Sequence, residues 1–138
     1  MDKKRAKIIG VGKYLPDKIL SNADLEKMVD TSDEWITKRV GIKERRISEP
    51  DVYSSDLGTE AALNAVKDSG ISPEEIDLII AAGVTPDMYT PSVSCMIQAK
   101  IGAVNAAAFD LNAACPGFVF ALTTATQFIE NGMYKTVL

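Results

Sequence analysis

Residues 78–83, Leu-Ile-Ile-Ala-Ala-Gly, form an apolar run with no polar alternation. A strand covered on one face alternates apolar and polar side chains, whereas a strand covered on both faces need not. The run therefore predicts a parallel strand between two helical layers. Ala106 to Leu111 reads as a second such strand, and Tyr134 to Leu138 begins a third. Residues 7–12 are a further short buried strand, punctuated by glycines. Helical patterns separate these runs. The alternation predicts an α/β fold with layered α-β-α architecture and a mostly parallel sheet.

The helix boundaries carry their own chemistry. Tyr14 to Asp17 reads as a turn. Ser21 or Asn22 caps a helix with acidic residues in its first turn. Thr31 with Glu34 three residues on fits a capping box for a second helix that stops near Val40-Gly41. Lys43 to Ile47 is basic and extended. From Ser55 to Asp68, Leu57, Ala61 and Ala65 lie beside a row of Gly58, Ala62 and Val66, and Gly70 closes the helix. Ser72-Pro73-Glu74-Glu75 gives one helical turn. Thr90-Pro91 opens the next helix, with Val93, Ile97 and Ile101 on one stripe and Gly102 at its end. Phe118, Ala121, Leu122, Ala125, Phe128 and Ile129 are the apolar stripe of the last helix, ended by Asn131-Gly132. Thr136-Val137-Leu138 falls in mid-strand, so the 138 residues are expected to be part of a longer protein.

Composition excludes several function classes. A net charge of −4 argues against general nucleic-acid binding. No apolar stretch approaches a membrane span, and none after the basic start is long enough for a signal peptide. Two cysteines with no Cys-x-x-Cys pair indicate neither a disulfide framework nor a zinc site, so no metal is expected and a reducing cytoplasm fits. The chain has no histidine, so a self-contained Cys-His enzyme is impossible.

Cys115 lies in FDLNAACPGF, at the join between a strand and a helix. Free N–H groups and the positive end of the helix dipole favour an anion there, and helix N-termini lower thiol pKa values. Ala113, Ala114 and Gly117 leave room for close approach, and Pro116 suits the first helical position. The arrangement is similar to the nucleophile elbow of serine hydrolases. Two readings stand: a nucleophile, or a small buried hydrophobe. Cys95, inside the helix opened by Thr90-Pro91 and away from any helix start, reads as inert packing. A disulfide between the two depends on geometry that sequence does not give.

Residues 22–47, NADLEKMVDTSDEWITKRVGIKERRI, together with residues 108–118, AFDLNAACPGF, closely resemble β-ketoacyl-[acyl-carrier-protein] synthase III. That family comprises thiolase-fold condensing enzymes of bacterial type II fatty-acid synthesis. The resemblance runs along the whole chain. It implies a thiolase-like fold of which residues 1–138 are an incomplete N-terminal domain, the first of two pseudo-symmetric halves, with 16–54 as the CoA-binding insertion. It also implies that Cys115 is the nucleophile, taking an acetyl group from acetyl-CoA. Malonyl-ACP then decarboxylates and its carbanion attacks the thioester, giving acetoacetyl-ACP, CoA and CO2.

By the same resemblance, Trp35 stacks on the adenine of CoA, Arg39 lies at the CoA phosphates and Thr31 lies near the adenine. No cofactor is implied, since acetyl-CoA is a substrate. The implied partners are malonyl-ACP, a C-terminal half carrying the catalytic His and Asn, and a second copy in a homodimer. This chain alone is expected to be inactive. Two other readings stand beside this one: a non-catalytic half-domain that binds CoA or a partner chain, and another acyltransferase of the thiolase superfamily.

Overall fold

The computed structural model describes residues 4–138, which divide into a unit Leu15–Val52 and a larger unit made of the chain up to Tyr14 with Tyr53–Leu138. In the smaller unit, β1 (Ile19–Ser21) leads into α1 (Asn22–Leu25), followed by α2 (Asp33–Val40) and β2 (Glu44–Arg46). β1 and β2 pair antiparallel, with Leu20 opposite Arg45. Ser21, one of the two expected residues, caps α1 in a capping box with Asp24. The cap of α2 is Ser32, one residue after the expected Thr31, and its side chain accepts the Trp35 N–H at 3.1 Å. Gly41, in the left-handed region at φ 74°, ends α2 by donating to Thr37 O.

Only Ile36 is a buried hydrophobe in this unit, so polar bonds do much of the holding. Asn22 is 2% exposed and fully engaged. Its Nδ2 donates to Asp33 Oδ1 at 2.7 Å and Ile42 O at 2.8 Å, and its Oδ1 accepts from Arg45 Nη1 at 2.8 Å. Its backbone N–H reaches Lys43 O. One side chain thus ties both helices to β2, and a satisfied buried network of this kind fixes a unique arrangement.

The larger unit opens its helical part with α3 (Ser54–Ser69), closed by Gly70 at φ 73°. A single turn at Pro73–Glu75 precedes β3 (Leu78–Ala82). Then come α4 (Val93–Ile101), β4 (Ala107–Leu111) and α5 (Gly117–Glu130). β3 and β4 pair in parallel with Leu78 opposite Ala107 and Ala82 opposite Leu111. On the other edge of β3 the last residues begin a third parallel partner, through Leu138 N–H to Leu78 O and Ile80 N–H to Leu138 O, each 2.9 Å. The predicted strand from Tyr134 is thus paired only over its final residues.

Side chains alternate along β3. Ile79 joins Ala62, Ile97 and Ile101 in a core under α3 and α4. Ala82, on the opposite face, lies against the start of α5 at Gly117. The layers are therefore α3 and α4, then sheet, then α5. Leu78 and Ile79 are 1% and 2% exposed, as expected for a strand covered on both sides. Burying each contributes about 1.5–3 kcal/mol.

Three sequence expectations are corrected here. Residues 7–12 form no ladder among the described residues. They lie against α3 instead, with Val11 N–H on Asp68 Oδ2 at 2.9 Å and Gly12 directly over the α3 backbone. α4 begins at Val93 with Ser92 as its cap, not at Thr90-Pro91, where the peptide bond is cis. α5 begins at Gly117, leaving Pro116 in the cap position instead of the first turn. Apart from these, the predicted stripe of α5 is half covered in this chain. Ala121, Ala125, Phe128 and Ile129 are partly covered, whereas Phe118 is 71% exposed and Leu122 42%.

Candidate active site

β4 runs out at Leu111, and four residues later the chain turns into α5 through Ala114, Cys115 and Pro116. Ala114 has φ 49°, an uncommon conformation for a residue with a Cβ. The turn closes with Gly117 N–H donating to Ala114 O at 2.9 Å. Its outcome is an exposed Cys115, with a free thiol, on the residue before the cap of α5. Gly117 is buried against the sheet, and a Cβ there would meet Ala82 Cβ at 3.4 Å. The thiol is thus not a packed core residue in this chain.

The three helix starts in this unit differ. α3 receives an acid from outside: Ser55 N–H donates to Asp87 Oδ1 at 2.9 Å. α4 does likewise, with Val93 N–H on Asp110 Oδ2 at 2.9 Å and Ser94 N–H on Asp110 Oδ1 at 2.8 Å. α5 has neither a side-chain cap nor an acidic residue in its first turn. Its positive end is therefore open to another anion, such as a thiolate or the oxyanion of a thioester addition.

Cys95 does not stand where the sequence put it. It is the third residue of α4, with its N–H on Ser92 Oγ at 3.2 Å, so it too sits at a helix start. It is half-buried, its sulfur 4.0 Å from Ala108 O. The Asp110 carboxylate already occupies the helix end there, on the Val93 and Ser94 N–H groups. Both cysteines are free.

A cavity of about 440 Å³ opens at the carboxyl ends of β3 and β4. Gly58, Ala82, Val93 and Ile97 supply apolar walls, with Asp110 and Asn112 at the strand end that feeds the Cys115 turn. Asp110 was not singled out from the sequence, and Ala114 was noted only for its small size. Asp110 had a signal, being the one acid in an otherwise apolar strand, whereas an alanine gives no sign of a positive φ.

In the smaller unit the other three predicted residues come together. Thr31 and Trp35 line a hollow of about 380 Å³ with Asp30 and Ser32. The Arg39 guanidinium lies 5.1 Å from the centroid of the Trp35 ring, a cation–π arrangement made by i, i+4 spacing on α2. Trp35 is 56% exposed, leaving ring surface for a planar ligand. Asp33 beside it is held below the ordinary carboxylate range, chiefly by the Asn22 side chain and then by Lys43.

The comparisons fit this geometry. The model of the 3-oxoacyl-[acyl-carrier-protein (ACP)] synthase III family matches residues 109–138, from β4 through the Cys115 turn and α5. The β-ketoacyl-[acyl-carrier-protein] synthase III of Clostridium acetobutylicum is 66% identical over 131 residues, covering 95% of this chain and 40% of the relative. The crystal structure of the synthase III of Aquifex aeolicus superposes with a TM-score of 0.90 at 52% identity, over 95% of this chain and 42% of that one. The priming β-ketosynthase of the R1128 polyketide pathway superposes with a TM-score of 0.88 at 39% identity, over 96% and 40%. The chain thus spans about 40% of the length of the relatives it matches and carries the N-terminal half of their thiolase-like α-β-α fold. By sequence along nearly all its residues and by backbone, the chain belongs to the β-ketoacyl-[acyl-carrier-protein] synthase III family.

Proposed function

We propose that this chain supplies the acyl-carrying cysteine and a nucleotide-binding surface to a condensing enzyme that starts type II fatty-acid synthesis. The observation that carries the reading is the exposed Cys115 thiol on the turn before an uncapped helix N-terminus. As thiolate, Cys115 attacks the thioester carbonyl of acetyl-CoA. The tetrahedral adduct collapses, the CoA thiolate leaves and takes a proton, and acetyl remains on sulfur. Loss of CO2 from malonyl-ACP leaves a carbanion, which attacks the acetyl-cysteine. Acetoacetyl-ACP forms and the Cys115 thiolate is released.

Residues 16–54 act as the CoA-binding insertion, with Trp35 stacking on the adenine, Arg39 at the phosphates and Thr31 beside the ring. Support comes from the shared hollow and the Trp35–Arg39 pair. The groups that assist decarboxylation belong to the further length found in the relatives, since this chain has no histidine. The complete protein works as a cytoplasmic homodimer, with acetyl-CoA and malonyl-ACP as substrates and no cofactor. No helix of the described residues is long and apolar enough to cross a membrane.

Labelling of a full-length protein containing this span with acetyl-CoA, followed by peptide mapping, tests the assignment. Acetyl is expected on the Cys115 peptide, lost in Cys115→Ser and kept in Cys95→Ser. Acetyl on Cys95, or unchanged turnover in Cys115→Ser, overturns it. A second reading, an acyltransferase of related pathways, is favoured by the likeness to the priming ketosynthase. Turnover with acyl-CoA primers but not with malonyl-ACP would select it.

A further inference from the structure

We infer that Asp110 is a positioning residue for the Cys115 turn, fixing the strand end from which the thiol is presented. The inference rests on the reading of Cys115 as the acyl carrier. Asp110 is the fourth residue of β4 and precedes the thiol by five positions. Its carboxylate grips α4 with both oxygens, Oδ2 on Val93 N–H at 2.9 Å and Oδ1 on Ser94 N–H at 2.8 Å. Two bonds from one planar group fix its orientation as well as its distance.

Ser92 caps α4 from within, accepting the Cys95 N–H at 3.2 Å, and Asp110 takes the two N–H groups before it. The same grip also holds the strand end. Past Leu111 no ladder bond continues, and Leu111 O accepts only Gly83 N–H at 3.2 Å before the chain leaves for Ala114. The turn itself has no side-chain cap, and Ala114 sits there at φ 49°. A turn in an uncommon conformation persists when its flanks are held. On the α5 side the flank is the buried Gly117. On the β4 side the last side chain tied to a neighbouring element is Asp110.

The mechanism is geometric. Loss of the grip lets the β4 end and the thiol shift relative to the open end of α5. A misplacement near 1 Å lowers a reaction rate on the order of 100-fold. Binding of acyl-CoA, assigned to residues 16–54, is left as it was. Asp110 therefore acts on the rate of acyl transfer and not on the affinity for the donor.

The test uses a full-length protein containing this span and follows single-turnover acylation of Cys115 by acetyl-CoA, with concentration varied to separate the maximal rate from KM. Asp110→Ala is expected to lower the maximal rate between about tenfold and 100-fold with KM within about twofold. Asp110→Asn, whose one amide oxygen can accept only part of the pair, is expected to fall between wild type and Asp110→Ala. Ser92→Ala, which removes the helix's own cap, is expected to stay within about twofold of wild type. If Asp110→Ala does not fold, the comparison of Asp110→Asn with Ser92→Ala decides. Asp110→Asn acylating at the wild-type rate, or Ser92→Ala slowed as much as the Asp110 variants, overturns the inference. Acylation that persists in Cys115→Ala instead overturns the reading of the thiol, and the two failures are distinct.

Discussion

Adding one methyl group at Gly12 and one at Gly58 should have unequal consequences, although both glycines lie in close contacts. A Cβ on Gly12 would stand 2.1 Å from Ala61 O and 2.3 Å from Ala65 N. Those are backbone atoms of α3, and non-bonded atoms prefer about 3.5–4.0 Å. The 7–12 segment and the helix must part by roughly 1 Å or more, and no rotamer can relieve the overlap. Such overpacking costs about 3 kcal/mol, the upper part of its usual range.

A Cβ on Gly58 would instead meet Ile97 Cδ1 at 2.6 Å, the far end of a flexible side chain. Moving that methyl off its preferred rotamer costs about 0.5–1.5 kcal/mol. Alanine in a helix interior returns about 0.8–1.0 kcal/mol relative to glycine. The net change is within about 1 kcal/mol. Guanidinium unfolding of a full-length protein containing this span, followed by circular dichroism, measures both. Gly12→Ala should lower the midpoint clearly and Gly58→Ala hardly at all. A Gly12→Ala midpoint equal to wild type, or a larger drop for Gly58→Ala, refutes the packing of residues 7–12 on α3.

Two further outcomes follow from the smaller unit. Trp35→Ala removes the stacking face proposed for adenine, worth about 1–3 kcal/mol for a base on an aromatic ring. KM for acetyl-CoA should rise about tenfold while the maximal acylation rate holds, and an unchanged KM refutes the stack. Asp24 is held down to about 2 from its ordinary 3.8, first by the Ser21 hydroxyl and then by Lys27. Its folded value lies below the unfolded one, so its stabilisation of the α1 cap is complete above about 3.8 and lost as pH falls towards about 2. The carboxyl carbon of Asp24, followed by NMR, should titrate well below 3.8, and a midpoint at or above that value is inconsistent with the cap.

Much of the fold was legible because it rests on local signals. An apolar run without alternation marked β3, and glycines marked the ends of α2, α3 and α4. Trp35 and Arg39 were singled out by the resemblance, and the structure adds that four residues along a helix bring them to one face. What failed depended on choices that sequence leaves nearly even, or on partners far along the chain. Thr31 and Ser32 are adjacent hydroxyls, and either could cap α2. Residues 7–12 have strand composition, but a strand exists only where a partner lies beside it, and here the neighbour is a helix. The start of α4 was placed two residues early because Thr90-Pro91 has the composition of a helix start, whereas Ser92 supplies the cap.

The two thiols show how far such reasoning reaches. The sequence separated them by a helix start and a cluster of small neighbours, both found at Cys115 alone. In the structure both thiols stand at helix starts, so the first criterion cannot be the one that matters. What differs is the company at each helix end. The first turn of α4 presents its N–H groups to Asp110 and Ser92, and Cys95 packs half-buried beside them. The first turn of α5 presents its groups to no side chain, and Cys115 stands exposed one residue before the cap. The Asp110 carboxylate takes the helix end beside Cys95, whereas no side chain takes the helix end beside Cys115. The asymmetry depends on Asp110, which satisfies one helix end while holding the strand that carries the other thiol. Separating these two effects requires the Asp110 and Ser92 variants to be compared in one protein.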